Sequence, residues 1–206
     1  MRIMVAVAAC LMLVSCSSRQ LVATDRDAAE FAYQQRAKDL RLLNSWDLTG
    51  KLSVDDGENG GSGRLSWQVR ADAFLMNFRG ALGRGAWQIK SRPGFAELTR
   101  SDGSISRADS LDKLLEAEVG WHIPVIALKW WALGVAAPGD ADMLELDSSG
   151  RVLAMQQDGW NITYSRYRQF GEIELPARMD AVRGRYRVKM AVSNWTQQQA
   201  AQADES

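Results

Sequence analysis

Hydrolysis, redox exchange and metal binding draw on a short list of side chains, and this chain holds few of them in usable combinations. It has one histidine, His122, and two cysteines, Cys10 and Cys16. A nucleophile–base triad needs an imidazole beside a nucleophile, and a structural zinc site needs several Cys or His ligands. His122 sits between Trp121 and Ile123, a context that reads as packing or rim rather than catalysis. Asp55 and Asp56 stand among Gly57, Gly60 and Gly61 and read as a solvated loop rather than a calcium site. A glycosidase needs only two carboxylates, but no pair among the 25 Asp and Glu residues stands apart from an ordinary charged surface. Gly80-x-x-Gly83-x-Gly85 lacks the strand-to-helix step of a dinucleotide fingerprint. The expectation is a binding protein and not an enzyme, with no metal and no bound cofactor.

The N-terminus carries the one chemical signal that stands out. Met1-Arg2 is followed by an almost unbroken apolar run, Ile3 to Val14. That length suits a signal-peptide core and falls short of the roughly twenty residues needed to span a bilayer. The run ends in Leu13-Val14-Ser15-Cys16, which resembles a bacterial lipobox. The resemblance implies removal of residues 1–15 and a lipid on Cys16, with residues 16–24 as a short polar tether. In lipoprotein sorting, Asp after the lipidated cysteine favours retention in the inner membrane, so Ser17 points to the outer membrane. Cys10 leaves with the signal, and no disulfide can form within the mature chain. The precursor's 25 basic and 25 acidic residues become 24 and 25 once Arg2 is lost, a net charge near −1. That balance gives no footprint for nucleic acid.

The remaining chain must build the body of the protein. Thr24-x-x-Asp27 resembles a capping box, and Ala28, Phe31, Ala32, Gln35, Leu40 and Leu43 follow a helical stripe, so residues 25–44 read as an amphipathic helix. At Trp46 the period changes to two: Trp46, Leu48, Leu52 and Val54 alternate with polar residues. The same alternation recurs through residues 64–70, 74–78, 87–89, 96–99, 143–146, 151–157, 160–164, 177–184 and 186–192. About ten or eleven strands emerge, and their short turns favour consecutive antiparallel pairing in one large sheet. Residues 109–134 break the pattern as two short helices, the first capped by Asp109 and the second opened by Pro124. They are too apolar to lie free and must cover an apolar sheet face.

Eight tryptophans are spread over sheet and helices alike. They can fill a solid core, or they can line an apolar cavity between a curved sheet and the helix pair. At this point the residues carry a resemblance. Trp46-x-Leu48-x-Gly50-x-Leu52, Gly80-Ala81-Leu82-Gly83, Gly120-Trp121-x-Ile123-Pro124 and Leu128-x-Trp130-Trp131-x-Leu133-Gly134 occur in the order seen in the LolB family of outer-membrane lipoprotein receptors. Gly159-Trp160-x-Ile162-x-Tyr164, Leu175-Pro176-x-Arg178 and Asn194-Trp195 extend the match. Departures are Gly80-Ala81 ahead of Leu82, where a more turn-forming pair is expected, and a polar tail over residues 196–206 that reads as a disordered extension.

The resemblance implies an α+β fold that is mainly β: a half-open antiparallel barrel of about eleven strands, with an N-terminal helix and a helical lid, enclosing an apolar cavity. It implies a single domain over residues 25–195 that is a monomer. It also implies receipt of lipoproteins from the periplasmic carrier LolA, shielding of their acyl chains, and release into the inner leaflet of the outer membrane. The candidate cavity lining is Trp67, Phe78, Trp87, Trp131 and Trp160. Leu82, held between Gly80-Ala81 and Gly83, matches the exposed loop leucine that the family uses in placing cargo in the membrane. The rival readings are an envelope assembly scaffold with a filled core, and a carrier of some other hydrophobic ligand.

Overall fold

The computed structural model describes residues 18–80, 85–119 and 124–198. A long helix, α1 (Ser18–Arg41), leads into β1 (Ser45–Asp55), β2 (Gly60–Arg70), β3 (Ala73–Gly80), β4 (Trp87–Arg92), β5 (Phe95–Arg100) and β6 (Ile105–Ala108). Two short helices follow, α2 (Leu111–Val119) and α3 (Val125–Trp131). The chain then returns through β7 (Met143–Leu146), β8 (Val152–Gln157), β9 (Trp160–Phe170), β10 (Ile173–Arg183) and β11 (Tyr186–Gln197). All eleven strands form one sheet in the order β6-β5-β4-β3-β2-β1-β11-β10-β9-β8-β7, antiparallel throughout. Every pair but one joins neighbours in sequence. The exception, β1 with β11, knits two meanders together. The two edges, β6 and β7, do not pair, and α2 and α3 connect them. The barrel is therefore open where the helices sit.

The alternation read from the sequence sets the two faces. Trp46, Leu48, Leu52 and Val54 in β1, and Leu65, Trp67 and Val69 in β2, are buried, with polar residues between them facing outward. Two glycines let neighbouring backbone close in on these strands. A Cβ on Gly50 would lie 2.3 Å from the Ala191 carbonyl oxygen, and one on Gly63 would lie 2.3 Å from that of Arg79. No side chain fits either site, and β1 carries a bulge between Thr49 and Gly50.

Three features differ from the sequence reading. β6 was not among the strands read from periodicity. Helix α1 starts at Ser18, so Thr24 lies inside it rather than capping it. Its buried stripe is Ala29, Tyr33, Ala37 and Leu40, while Phe31 is 67% exposed. Spacing of four, four and three places that stripe on one helix face; it is one residue off the expected register over residues 28–35 and agrees with it at Leu40 and Leu43, both buried. Helix α2 is capped by Ser110, whose hydroxyl accepts from the Lys113 N–H at 3.4 Å. Asp109 instead pairs with the Lys113 ammonium at 2.8 Å.

Candidate functional site

The inner face of the sheet meets α2 and α3 along an apolar seam. Leu111, Leu114 and Leu115 of α2 and Val125 and Leu128 of α3 are buried against it, and α2 packs on β5 and β6. Between helices and sheet lies a void of about 30 Å³ bounded by Leu52, Val54, Leu65, Met76, Trp87, Ile89, Leu115, Val125, Leu128, Val188 and Met190. That is about the space of one water molecule. The seam opens outward beside β3 and β4 into a cleft of about 600 Å³, lined among others by Phe78, Trp87, Ile89, Leu98 and Leu115. Leu115, Ile89, Trp87 and Val54 border both spaces, so the cleft is the outer end of the seam.

The expected lining residues separate into three groups. Phe78 and Trp87 stack at the cleft, ring centroids 5.1 Å apart and planes within 15°. Trp67 is wholly buried in a second cluster, edge-on to Trp46 at 5.2 Å and near Phe74 at 6.1 Å. Trp131 and Trp160, also wholly buried, face each other at 5.9 Å. These three border neither the cleft nor the void. The open apolar surface instead includes aliphatic residues that the sequence reading passed over, Ile89, Leu98 and Leu115 above all. Their alternation and helical spacing mark them as inward-facing, and only the packing of α2 decides which of them border open space. Gly80 closes β3 at the rim of the cleft. Cys16, Ala81, Leu82, Gly83, Trp121 and His122 lie outside the described residues.

Helix α3 is fastened at its C-terminal end by a buried polar node. The Gln157 side-chain carbonyl accepts from the Trp131 indole N–H and from the Ala137 N–H, both at 2.9 Å. Its amide donates to the Ala137 carbonyl at 3.0 Å. Tyr164 donates its hydroxyl proton to the Trp131 carbonyl at 2.9 Å, and burial pushes the phenol pKa well up. The opposite end of α3 starts at Pro124 without a side-chain cap. A second polar knot holds α1. Arg36 donates to the Glu174 carbonyl, Arg151 pairs with Asp147 at 2.6 Å and Glu174 at 2.8 Å, and both guanidinium groups lie against the Tyr167 ring.

Asp55 and Asp56 shape the β1–β2 turn. Asp56 accepts from the N–H groups of Glu58 and Asn59 at 2.9 and 2.6 Å, and those bonds hold its carboxyl below the usual range. Among the described residues no group of three or more His, Cys, Asp or Glu side chains is placed to hold a metal ion.

Residues 44–195 match the model of the family described as outer membrane lipoprotein LolB. The chain belongs to the LolB family. It is 31% identical over 168 residues to the outer-membrane lipoprotein LolB of Stutzerimonas stutzeri, covering 82% of each chain. It is 30% identical over 202 residues to that of Pseudomonas aeruginosa, covering 97% of this chain and 98% of the relative. A crystal structure of an outer-membrane lipoprotein-sorting protein domain from Vibrio parahaemolyticus shares the fold, with a TM-score of 0.51 at 11% identity over 86% of this chain and 96% of that one. Family membership makes the protein a lipid-anchored lipoprotein of the outer membrane in the Lol sorting pathway, and LolB proteins are sorting receptors rather than an enzyme family.

Proposed function

We propose that the protein accepts lipoproteins from the periplasmic carrier LolA, holds their acyl chains along the seam under α2 and α3, and releases them into the inner leaflet of the outer membrane. The observation that carries this reading is the continuous apolar path from the Phe78–Trp87 cleft to Leu115 and Leu128. Each buried methylene is worth roughly 0.8 kcal/mol, so three chains of about fifteen carbons cling to any apolar host by about 30 kcal/mol or more. They cannot cross water unaided. They must pass from one apolar surface to another, and no nucleotide is needed for that step.

Among the described residues the seam under α2 and α3 is packed around a water-sized void, so chains enter it as α2 and α3 move off the sheet. The C-terminal turn of α3, held by Gln157 and Tyr164, is the natural pivot. The lipid on Cys16 anchors the receptor, and Leu82 makes a brief contact with the leaflet during release. Inserting one leucine is worth about 1.5–3 kcal/mol, too little to anchor and enough to guide.

The test is transfer. A soluble form, with Cys16 replaced so that no lipid is attached, is mixed as a monomer with lipoprotein-loaded LolA, and cargo is followed by cross-linking and by delivery to liposomes. Cargo should leave LolA for this protein and then reach the liposomes. Leu82→Glu should still take cargo and should deliver it poorly, because a carboxylate among lipid tails is costly. Failure to take any cargo, together with failure to bind a fluorescent fatty acid at micromolar concentration, would leave an envelope scaffold as the better reading.

A further inference from the structure

The outer face of the sheet, opposite the helices, carries a line of positive charge across six adjacent strands. Arg79 of β3 lies directly opposite Arg64 of β2, Arg64 opposite Lys51 of β1, and Lys51 opposite Ala191 of β11. The line continues from Ala191 to Arg178 of β10 and from Arg178 to Arg166 of β9. Five of these six residues are cations, and all five are exposed. Like charges directly opposite each other across a sheet are destabilising, and the line contains three such pairs. Among the described residues none of the five forms an ion pair or a side-chain hydrogen bond.

Three other cations on this face are neutralised within the fold. Arg70 pairs with Asp47 at 2.7 Å, and Lys90 and Arg107 pair with Glu97 at 3.4 and 2.8 Å. The line runs along a surface groove of about 890 Å³ lined by Lys51, Arg64, Arg79, Arg178 and Lys189. Its one carboxylate, Asp180, is already engaged by Arg187 at 3.2 Å and Lys189 at 3.7 Å. Gly50 and Gly63, where no Cβ fits, stand next to Lys51 and Arg64 in their strands.

We propose that this cationic line docks the receptor on anionic phospholipid headgroups of the leaflet that carries its anchor. Strand spacing of about 4.8 Å makes the line roughly 24 Å long, an extended array suited to several phosphates at once rather than to one small anion. The mature chain has a net charge near −1, so the line reflects segregated charge and not a basic protein. The helices carry both signs: the carboxylates of α1 and α2 stand beside Arg26, Lys38, Arg41 and Lys113, which balance them. An anionic surface therefore attracts the sheet face more strongly than the helices, which orients the molecule. That orientation also sets the acyl path: Ser62 and Gly80 line both the cationic groove and the apolar cleft, so a docked receptor holds the cleft next to the bilayer. The proposal rests on the family's outer-membrane location and not on the hand-off from LolA.

The test needs neither cargo nor carrier. The complete mature chain with Cys16→Ser is sedimented with vesicles of phosphatidylethanolamine and phosphatidylglycerol at three to one, and with pure phosphatidylcholine vesicles. Binding should be confined to the anionic vesicles and should weaken steeply between 50 and 300 mM salt. Each Lys or Arg near an anionic leaflet adds roughly fivefold to partitioning. The triple variant Lys51→Gln, Arg64→Gln, Arg178→Gln should therefore lose about 100-fold, with a melting temperature equal to or above the parent's. The charge-keeping variant Arg64→Lys, Arg178→Lys should bind as the parent does. Salt-independent binding of the parent, or parent-like binding by the glutamine variant, would overturn the proposal.

Discussion

Replacing Gln157 with Met tests whether α3 is held at one end by a buried polar node. Methionine has nearly the volume of glutamine, so the substitution leaves no large cavity and removes only the hydrogen bonds. Three groups lose their partner: the Trp131 indole N–H, the Ala137 N–H and the Ala137 carbonyl. Gln157 is 1% exposed and Trp131 is wholly buried, so water does not readily replace the lost bonds. An unsatisfied buried group costs about 1–3 kcal/mol. Allowing for local relaxation, Gln157→Met should lose about 3–5 kcal/mol of stability. For a chain of this size that is a drop of roughly 6–20 °C in melting temperature.

Urea titration followed by circular dichroism measures the loss directly. Tyr164→Phe removes the one bond to the Trp131 carbonyl and should cost about 1 kcal/mol. Both variants act on Trp131, so the double variant should depart from additivity by at least about 0.5 kcal/mol. A loss below about 1 kcal/mol for Gln157→Met, or strict additivity, would mean that packing alone positions α3 and that the pivot has been placed wrongly.

Three further outcomes are expected. Asp147 is pushed up by burial, but bonds from the Arg151 and Ser149 backbone and the Arg151 guanidinium outweigh that and hold its pKa below the usual carboxylate value. Its stabilisation is therefore present above the unfolded-state pKa and lost as pH falls through the lower folded value: Asp147→Asn should cost about 1–2 kcal/mol at pH 7 and progressively less as the pH falls below about 4, by urea titration. Leu115→Trp, at the join of cleft and void, should overfill the seam at about 1–3 kcal/mol and weaken binding of a fluorescent fatty acid at least tenfold, by titration. Cys16→Ala should leave an unprocessed, unlipidated precursor, visible by labelling with a radioactive fatty acid and by its slower gel migration.

The sheet was legible in the sequence because period-two alternation is strong wherever one face is buried. β6 was the exception: Ile105-Ser106-Arg107-Ala108 has one large apolar residue, and that residue points outward, 52% exposed. In α1 the bulk of Phe31 outweighed the smaller Ala29 and Ala37, although a close-packed helix face favours small residues. Alternation assigned Trp67 and Trp160, and helical spacing Trp131, to the inner side of the fold, but depth below the surface depends on which element covers each residue, and period says nothing of that. Gln157 looks like any polar residue at the end of a strand. The cationic line is invisible along the chain, since Arg79, Arg64, Lys51, Arg178 and Arg166 meet only once the register of six strands is known.

The packed interior bears on how a receptor with a strong grip on lipid could let it go. On the proposed reading, chains that enter the seam displace Leu111, Leu114, Leu115, Val125 and Leu128 from the sheet. The acyl chains cover these side chains in turn, so what opening gives up is the fitted packing of helix on sheet, worth on the order of a few kcal/mol. Closure of the empty receptor restores that packing, which offsets part of what the acyl chains gain by burial and weakens the hold on cargo without any external energy source. A rigid, preformed cavity would have no such offset and would keep its cargo longer. Direction then follows from the sequence of hosts: the bilayer takes the chains fully and asks no helix to move, so the last transfer runs downhill. Trimming the returning surface, as in Leu114→Ala, should therefore slow delivery to liposomes while leaving uptake from LolA intact, and faster delivery by that variant would show that closure does not drive release.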